Sequence, residues 1–164
     1  DEIATAFETH PSRHPELRLK LEGCEQLPTH LITYEQFAHF GLRQLISNSV
    51  KFNTGAGKVV IRTRVIHTCH KHFLRFEVID QGEGLPEELT DCSKLFTQFG
   101  TMSNRREVTG LGLGLWSIKE ALTHFEDGAR CGFRKVKRTL NRKNLSCFWF
   151  QVPFEMSRES FTRD

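Results

Sequence analysis

The residues that first suggest chemistry are an acid and two glycines directly behind an apolar, strand-like run. They are Asp80, Gly82 and Gly84 in the stretch VIDQGEGLP, residues 78–86. A carboxylate at a strand end can accept a hydrogen bond from an exocyclic amine, and glycines let the backbone approach a flat ligand closely. Taken alone, the D-x-G-x-G pattern is more typical of an ordinary turn. Its interpretation therefore depends on the other motifs in the chain.

A second set of polar side chains shares one face of a predicted helix. Gln44, Asn48, Lys51 and Phe52 lie close together on that face at about 100° per residue. An asparagine oxygen suits Mg²⁺, a lysine suits phosphate as a point charge, and a ring can stack on a base. The alternative is an ordinary amphipathic helix in which Asn48 is buried and hydrogen-bonded.

A third patch, GLGLGL at residues 110–115, places Gly110, Gly112 and Gly114 at the mouth of another predicted helix. The free amides and the positive end of that helix favour phosphate. The same spacing also permits close helix packing, so the run is weak support by itself.

The elements that must position these residues alternate along the chain. Thr33 and Gln36 form a predicted capping box that opens the first helix, whose inner face carries Phe37, Gly41 and Leu45. The remaining predicted elements are a strand at 17–23, two strands at 59–66 and 73–80, a long loop after 90, a helix at 113–125 and a hairpin at 129–154 that buries Phe148, Phe150 and Val152.

Bulk composition is that of one domain with a single core. The chain has 164 residues, of which 38% are hydrophobic, and a net charge of +3. It shows no apolar run of the ~20 residues that a membrane span needs, and no signal peptide.

Five irregularly spaced cysteines predict free thiols in a reducing, cytoplasmic compartment. The chain opens on Asp1 rather than Met, which suggests a fragment. We expect a domain over 1–154 and a polar tail over 155–164.

Two further stretches have competing interpretations. HTCHKH, residues 67–72, offers possible zinc ligands, but a solvated hairpin turn is favoured because alternate residues point apart. The basic stretch at 130–143 is better interpreted as an exposed hairpin or a docking face for acidic partners than as a nucleic-acid site, which needs a groove or a stacking platform.

The order of the motifs resembles the ATP-binding catalytic domain of sensor histidine kinases, one branch of the GHKL superfamily. LRQLISNSVKFN (42–53) resembles the N box, VIDQGEGLP and GLGLGLWSIK (110–119) the two glycine boxes, and KLFTQF (94–99) the F box. The resemblance runs from about Leu17 to Pro153. It implies a Bergerat-type α/β fold, a two-layer sandwich of a mixed β-sheet with helices on one face.

By resemblance, Asp80 accepts from the adenine amino group while Gly82 and Gly84 border the ring. Asn48 would hold Mg²⁺, Lys51 would pair with phosphate, and Phe52 would stack on or border adenine. Phe96 and Phe99 would anchor a mobile lid, and Arg105 or Arg106 would reach the γ-phosphate unless both are solvated lid charges. The remaining nucleotide contacts that the resemblance implies are Gly110, Gly112, Gly114 and Leu115.

One position departs from the family pattern. Where the kinases place an asparagine and the hydrolytic relatives a glutamate, one turn before Asn48, this chain has Gln44. Glutamine cannot act as a general base, so we expect poor autonomous hydrolysis. Phosphoryl transfer depends mostly on positioning and electrostatics and is less affected. None of the eight histidines is followed by Asp or Glu, so the acceptor histidine is expected outside this chain.

The resemblance implies ATP and Mg²⁺ as cofactors and transfer of the γ-phosphoryl group to a histidine on a separate domain. The implied partners are an upstream dimerisation and phosphoacceptor helical domain and a response-regulator receiver domain, in a homodimeric full-length protein. No nucleic acid and no direct membrane contact are expected. Two alternatives stay open: a nucleotide-binding switch or pseudokinase, and a serine kinase of the anti-sigma type.

Overall fold

The computed structural model describes residues 2–23, 31–53, 55–82, 92–98, 113–125, 128–137 and 144–156. The described helices are α1 (Glu2–Glu8), α2 (Glu35–Lys51) and α3 (Gly114–Leu122), with a 3-10 helix at Cys92–Phe96. The described strands are β1 (Leu17–Glu22), β2 (Leu31–Ile32), β3 (Gly57–His67), β4 (His72–Asp80), β5 (Arg130–Lys137) and β6 (Asn144–Met156).

These strands form one mixed sheet. β1 pairs with β3 in parallel, whereas the β3–β4, β4–β6, β5–β6 and β2–β6 pairings are antiparallel. β6 lies between β4 and β5, since Gln151 is opposite both Arg75 and Arg130. Two hairpins, β3–β4 and β5–β6, therefore supply most of the sheet, as the sequence predicted.

The helices cover one face of this sheet, which confirms the predicted α/β sandwich. Side chains of a strand alternate between its two faces. In β4 the residues that face the helices include Phe76 and Val78, and both are buried in the core. From α2 the core receives Leu45 and Ile46. Burial of each such side chain contributes about 1.5–3 kcal/mol.

Close contact between α2 and the sheet depends on Gly41. A Cβ atom at this position would lie 2.7 Å from the ring of Phe150 on β6. Phe150 is fully buried, so its ring has no space into which to retreat. Gly41 thus sets how closely α2 approaches β6, and with it the position of the polar residues farther along the helix.

The structure differs from the sequence prediction at the start of α2. The capping box of Thr33 and Gln36 is wrong: the helix begins at Glu35, its N-cap is Tyr34, and no side chain caps it. The Thr33 hydroxyl instead donates to the carbonyl oxygen of Pro153, 3.2 Å away. Tertiary packing against β6 thus competes successfully with the local cap.

The 3-10 helix at Cys92–Phe96 begins where the sequence predicted only a long loop. Two further elements were not predicted at all. They are the short helix α1, which buries Phe7, and the two-residue strand β2, which pairs with the end of β6. The thiols of Cys69, Cys131 and Cys147 are free, as expected. Among the helices that the structure describes, none has the length and apolar composition that a bilayer crossing requires.

Candidate functional site

The candidate site begins where β4 ends beside α2. Asp80 is the last residue of β4 and only 4% exposed. The hydroxyl of Ser49, on α2, donates to Asp80 Oδ2 at 3.1 Å, and the backbone N–H of Gly82 donates to Oδ1 at 2.9 Å. Both carboxylate oxygens are therefore oriented by the protein. The strand register explains the placement, because Asp80 follows Phe76 and Val78 on the helix-facing side.

Burial dominates the electrostatics of this carboxylate. It raises the pKa of Asp80 above its ordinary value, while the hydrogen bonds from Gly82 and Ser49 act in the opposite direction. Two neutral donors do not fully replace the water that Asp80 loses on folding. A further donor supplied by a ligand would therefore be favourable here.

Gly82 is required by packing. A Cβ atom on Gly82 would lie 2.6 Å from the carbonyl oxygen of Phe52 and 3.0 Å from Asp80 Oδ1. The backbone carbonyl cannot move without distorting the end of α2, so only glycine fits. Phe52 itself is the C-cap residue of α2, and its side chain is 45% exposed. Phe52 therefore offers an accessible aromatic ring next to the turn that follows Asp80.

A second group of residues gathers at the start of α3. A Cβ atom on Gly114, the first residue of α3, would lie 2.7 Å from Gln44 Oε1 and 3.9 Å from Asn48 Nδ2. The two amide side chains of α2 therefore face the N-terminus of α3. That end of a helix carries partial positive charge and favours anions. The structure brings together Gln44, Asn48 and Gly114, which the sequence had assigned to two separate motifs.

Lys51 is the last residue of α2 and is half-buried. It lies close to His10, whose pKa is lowered first by burial and then by the Lys51 charge. His10 Nε2 is 3.1 Å from the hydroxyl oxygen of Ser47. The end of α2 is thus close to the segment that follows α1.

The other predicted contacts divide into two groups. Phe96 is buried in the hydrophobic core, and Leu115 is half-buried against it, so both pack against protein in this structure. Their roles toward a nucleotide stay predictions. Six predicted residues lie outside the described ranges: Gly84, Phe99, Arg105, Arg106, Gly110 and Gly112.

Sequence reasoning missed two polar residues at this site, Ser49 and Asn53. Ser49 holds Asp80, and Asn53 is 3% exposed, with no hydrogen-bond partner for its Nδ2 among the described residues. An unsatisfied buried donor costs roughly 1–3 kcal/mol. The available signal was the composition of NSVKFN, where polar residues occupy buried as well as exposed helical positions.

The HTCHKH segment forms an exposed hairpin turn. Thr68 and Lys71 close the turn with hydrogen bonds, and Cys69 and His70 are exposed. The flanking pair His67 and His72 approach to 2.7 Å between their Nδ1 atoms. Within the described ranges, no group of three His, Cys, Asp or Glu side chains is arranged to hold a metal ion.

Sequence comparison places this arrangement among known proteins. The profile of the family described as "Histidine kinase-, DNA gyrase B-, and HSP90-like ATPase" matches residues 34–156. The chain is 35% identical over 125 residues to the sensor histidine kinase AruS of Pseudomonas aeruginosa, which covers 75% of the chain. It is 37% identical over 100 residues to the aerobic respiration control sensor protein ArcB of Escherichia coli, which covers 60% of the chain. The chain spans 12% of the length of each of these relatives.

Solved structures share the fold. A mycobacterial sensor histidine kinase, MprB, superposes with a TM-score of 0.67 at 17% identity and covers 94% of this chain and 93% of its own. The catalytic domain of histidine kinase ThkA gives a TM-score of 0.66 at 22% identity and covers 93% of this chain and 89% of its own. The sheet, the helical layer and the order of elements are therefore those of a known domain type.

Proposed function

Because this chain belongs to the family of histidine kinase-, DNA gyrase B- and HSP90-like ATPases, we propose that it is the ATP-binding catalytic domain of a sensor histidine kinase. Its role is to bind Mg-ATP and to present the γ-phosphoryl group to a histidine on a separate phosphoacceptor domain. The curated relatives AruS and ArcB, both named as sensors, support this assignment.

The observation that carries the proposal is the buried carboxylate of Asp80. Its oxygens are fixed by Ser49 and Gly82, and it retains acceptor capacity, because each carboxylate oxygen has two lone pairs. We assign it the adenine amino group. Guanine carries an acceptor at the equivalent position and would leave the remaining lone pairs of the carboxylate without a donor, at a cost of about 1–3 kcal/mol. Phe52, with its exposed ring, would border the base.

The phosphate groups are assigned to the other end of the site. The N-terminus of α3 at Gly114 and the ammonium group of Lys51 both favour anions. At the start of α3, Gln44 presents its Oε1, and the Asn48 amide, whose Nδ2 is the atom nearest Gly114, carries the second amide oxygen of this pair. Neutral amide oxygens are a donor type that suits Mg²⁺, which keeps several waters and uses few protein ligands. These residues therefore fit the ion, and Asn48 would hold it. When bound, Mg²⁺ would neutralise charge on the phosphate oxygens.

Three glycines and two arginines are assigned by resemblance alone. Gly84 would border adenine, and Gly110 and Gly112 would contact the triphosphate, with Arg105 or Arg106 near the γ-phosphate. Phe96 and Phe99 would anchor the segment that covers the nucleotide, and Leu115 would pack beneath it. The core position of Phe96 suits an anchor.

Because position 44 is a glutamine and not an acidic residue, we expect phosphoryl transfer rather than ATP hydrolysis. Gln44 cannot accept a proton from water, so water near the γ-phosphate is not activated. An acceptor histidine on another domain is itself the nucleophile, so transfer to it does not need an activated water. The proposed partners are accordingly an upstream helical dimerisation and phosphoacceptor domain and a response-regulator receiver domain, in a homodimeric protein whose catalytic part works in the cytoplasm.

Gln44 also motivates a second candidate, a nucleotide-binding switch that transfers little phosphate. A serine kinase of the anti-sigma type, which shares the fold, is the third. One experiment separates all three: the chain is incubated with γ-labelled ATP and the histidine-containing domain of the full-length protein. Acid-labile label on that domain indicates histidine phosphorylation, acid-stable label indicates serine phosphorylation, and a lack of label on it indicates a switch.

Nucleotide specificity tests the site itself. Calorimetric titration should give binding of ATP and ADP and roughly 5- to 150-fold weaker binding of GTP. Equal affinity for GTP would contradict the role of Asp80.

Asn48→Ala should abolish phosphoryl transfer while part of the binding through the base survives. An unfolded Asn48→Ala protein would favour a purely structural role for Asn48.

A further inference from the structure

The face of the sheet that points away from the helices carries most of the positive charge of the strands. We call it the outer face. Among the strand residues that the structure describes, its charged residues are Arg18, Lys20 and Glu22 of β1, Lys58, Arg62 and Arg64 of β3, Arg75 and Glu77 of β4, Arg130 and Arg134 of β5, and Glu155 of β6. Eight of these side chains are basic and three are acidic, an excess of five positive charges in a chain whose net charge is +3. Within the described strands, the positive charge is therefore concentrated on the outer face.

The centre of the outer face is an arginine cluster built around one buried carboxylate. Glu77 is 1% exposed; Arg134 Nη2 donates to its Oε1 at 2.8 Å, and Arg64 Nε lies 3.4 Å from Oε2. Arg62 Nη1 is 3.9 Å from the same oxygen. Arg62 also pairs with Glu22, whose Oε2 lies 2.7 Å from Nη2 and accepts from Nε at 2.8 Å. Two carboxylates therefore face three guanidinium groups, and the three arginine side chains stay between 31% and 49% exposed. The cluster thus presents net positive charge to its surroundings.

Neighbouring contacts hold this surface in place. The Arg75 guanidinium lies 4.1 Å from the ring centroid of Trp149 and donates to Gln151 Oε1 at 2.6 and 3.1 Å. Gln151 in turn donates to the Gly128 carbonyl oxygen at 2.8 Å. On β5, a Cβ on Gly132 would lie 2.6 Å from the Trp149 ring, so the indole packs tightly over the strand. Side chains that are already ordered lose less entropy when a partner binds.

We propose that the outer face is a docking surface for a segment of a partner protein that is rich in Asp and Glu. The planar guanidinium fork matches carboxylates in a bidentate geometry. The excess positive charge supplies the complementarity that steers such a partner and sets its orientation.

Other polyanions fit this surface less well. A single-stranded nucleic acid needs exposed rings on which bases stack, and the Trp149 ring is covered by Arg75 on one side and by β5 on the other. A basic surface that also anchors in a membrane interface combines its charge with apolar side chains that insert. The exposed large apolar residues among those described are Leu21, Tyr34, Phe40 and Phe52, none of which lies on the outer face.

This inference does not depend on the nucleotide site. Asp80, Asn48 and Gly114 lie on the helical side of the sheet, so each proposal can fail alone.

The test uses the full chain and a fluorescent decaglutamate peptide, with binding followed by anisotropy at low salt. We expect saturable binding that weakens as salt rises, because screening shortens the range of exposed charges. Backbone amide resonances of β3, β4 and β5 should shift on addition of the peptide.

Charge-neutral variants locate the binding. Lys58→Gln, Arg64→Gln and Arg130→Gln together should weaken decaglutamate binding roughly tenfold. The matched control removes the same charge elsewhere, at three exposed basic residues outside the outer face: Arg43→Gln, Lys71→Gln and Lys94→Gln. It should change binding less than about twofold.

A second variant guards against a folding defect. Arg18→Gln with Lys58→Gln changes two exposed residues and should weaken peptide binding while the melting temperature and the ATP affinity stay unchanged. The proposal is overturned if decaglutamate does not bind at low salt, or if the control triple variant weakens binding as much as the outer-face triple. Tighter binding of single-stranded DNA or phosphatidylserine vesicles than of the peptide would also overturn it.

Discussion

At the scale of single residues, the site is organised by one buried carboxylate. Asp80 is stabilised by two hydrogen bonds, yet burial still raises its pKa. In the folded protein without ligand its negative charge is therefore a cost. A group that destabilises the free protein and pairs with a ligand is typical of a binding site, where stability and function compete.

Asp80→Asn should separate stability from binding. The substituted amide can keep both hydrogen bonds, accepting from Gly82 N–H and donating to the Ser49 hydroxyl, and it removes the buried charge. We expect an unchanged or higher melting temperature and ATP affinity that is lower by about 1–3 kcal/mol. Thermal melts and calorimetry measure the two effects. A large loss of stability together with unchanged ATP affinity would show that Asp80 is structural.

The same residue predicts a pH dependence. Between the ordinary aspartate pKa and the raised native value, the native state binds the Asp80 proton more tightly than the unfolded chain does. The contribution of Asp80 to the free energy of unfolding is thus largest below that window and falls as pH rises through it. Comparison with Asp80→Asn across this range isolates the contribution, since the variant has no such titration. Parallel curves for the two proteins would contradict the raised pKa.

At the scale of elements, α2 connects the two ends of the site. Ser49 and Phe52 lie at its C-terminal end beside Asp80 and Gly82, and Gln44 and Asn48 face the start of α3. The helix is positioned by its packing on β6, where Gly41 meets Phe150. Displacement of α2 would therefore disturb both the base end and the phosphate end.

Gly41→Ala tests this packing. Alanine gains up to about 1 kcal/mol of helix propensity, but its Cβ would overlap the buried ring of Phe150, and overpacking costs about 1–3 kcal/mol. We expect net destabilisation of about 1–2 kcal/mol in denaturant unfolding. The matched control is Gly55→Ala, where no atom lies within 4 Å of the added Cβ. A more stable Gly41→Ala protein would show that the helix shifts freely.

At the scale of the whole molecule, the sheet separates two surfaces of different chemistry. Its helical side carries Asp80 and the residues proposed to bind nucleotide, and its outer face carries the arginine cluster around Glu77. β4 contributes to both, because Asp80 and Glu77 point to opposite faces. Nucleotide and an acidic partner can therefore bind without competing for the same atoms.

Gln44→Glu tests whether slow ATP hydrolysis results from the lack of a general base at position 44. The native chain should bind Mg-ATP and hydrolyse it very slowly, and the variant should hydrolyse it about 10²-fold or more faster, since general-base assistance is typically worth 10²–10⁴-fold. Turnover is measured at saturating ATP because the new charge lies near phosphate. Asn48→Ala in the same background serves as the inactive control. Fast hydrolysis by the native chain would refute the expectation and favour an ATPase switch.

Much of the fold was predictable because its signals are local. Alternation of apolar residues in β1, β3 and β4 and the helical period of α2 are properties of short windows. Short elements were harder: α1 has 7 residues, too few to be stable alone, and depends on the burial of Phe7. The capping box failed for a related reason, since Thr33 bonds to Pro153, 120 positions away.

The sequence by itself determined which motifs are present, their order and therefore the family, because these are patterns of residue type at fixed spacing. Only the tertiary structure decided which side chains meet. Ser49 reaches Asp80 across 31 positions, and Arg134 reaches Glu77 across 57. Such contacts depend on strand register and on how closely α2 packs on β6, and neither is encoded in any one window of the chain. The hydrogen-bonded state of Asp80 and the arginine cluster of the outer face are consequences of that packing.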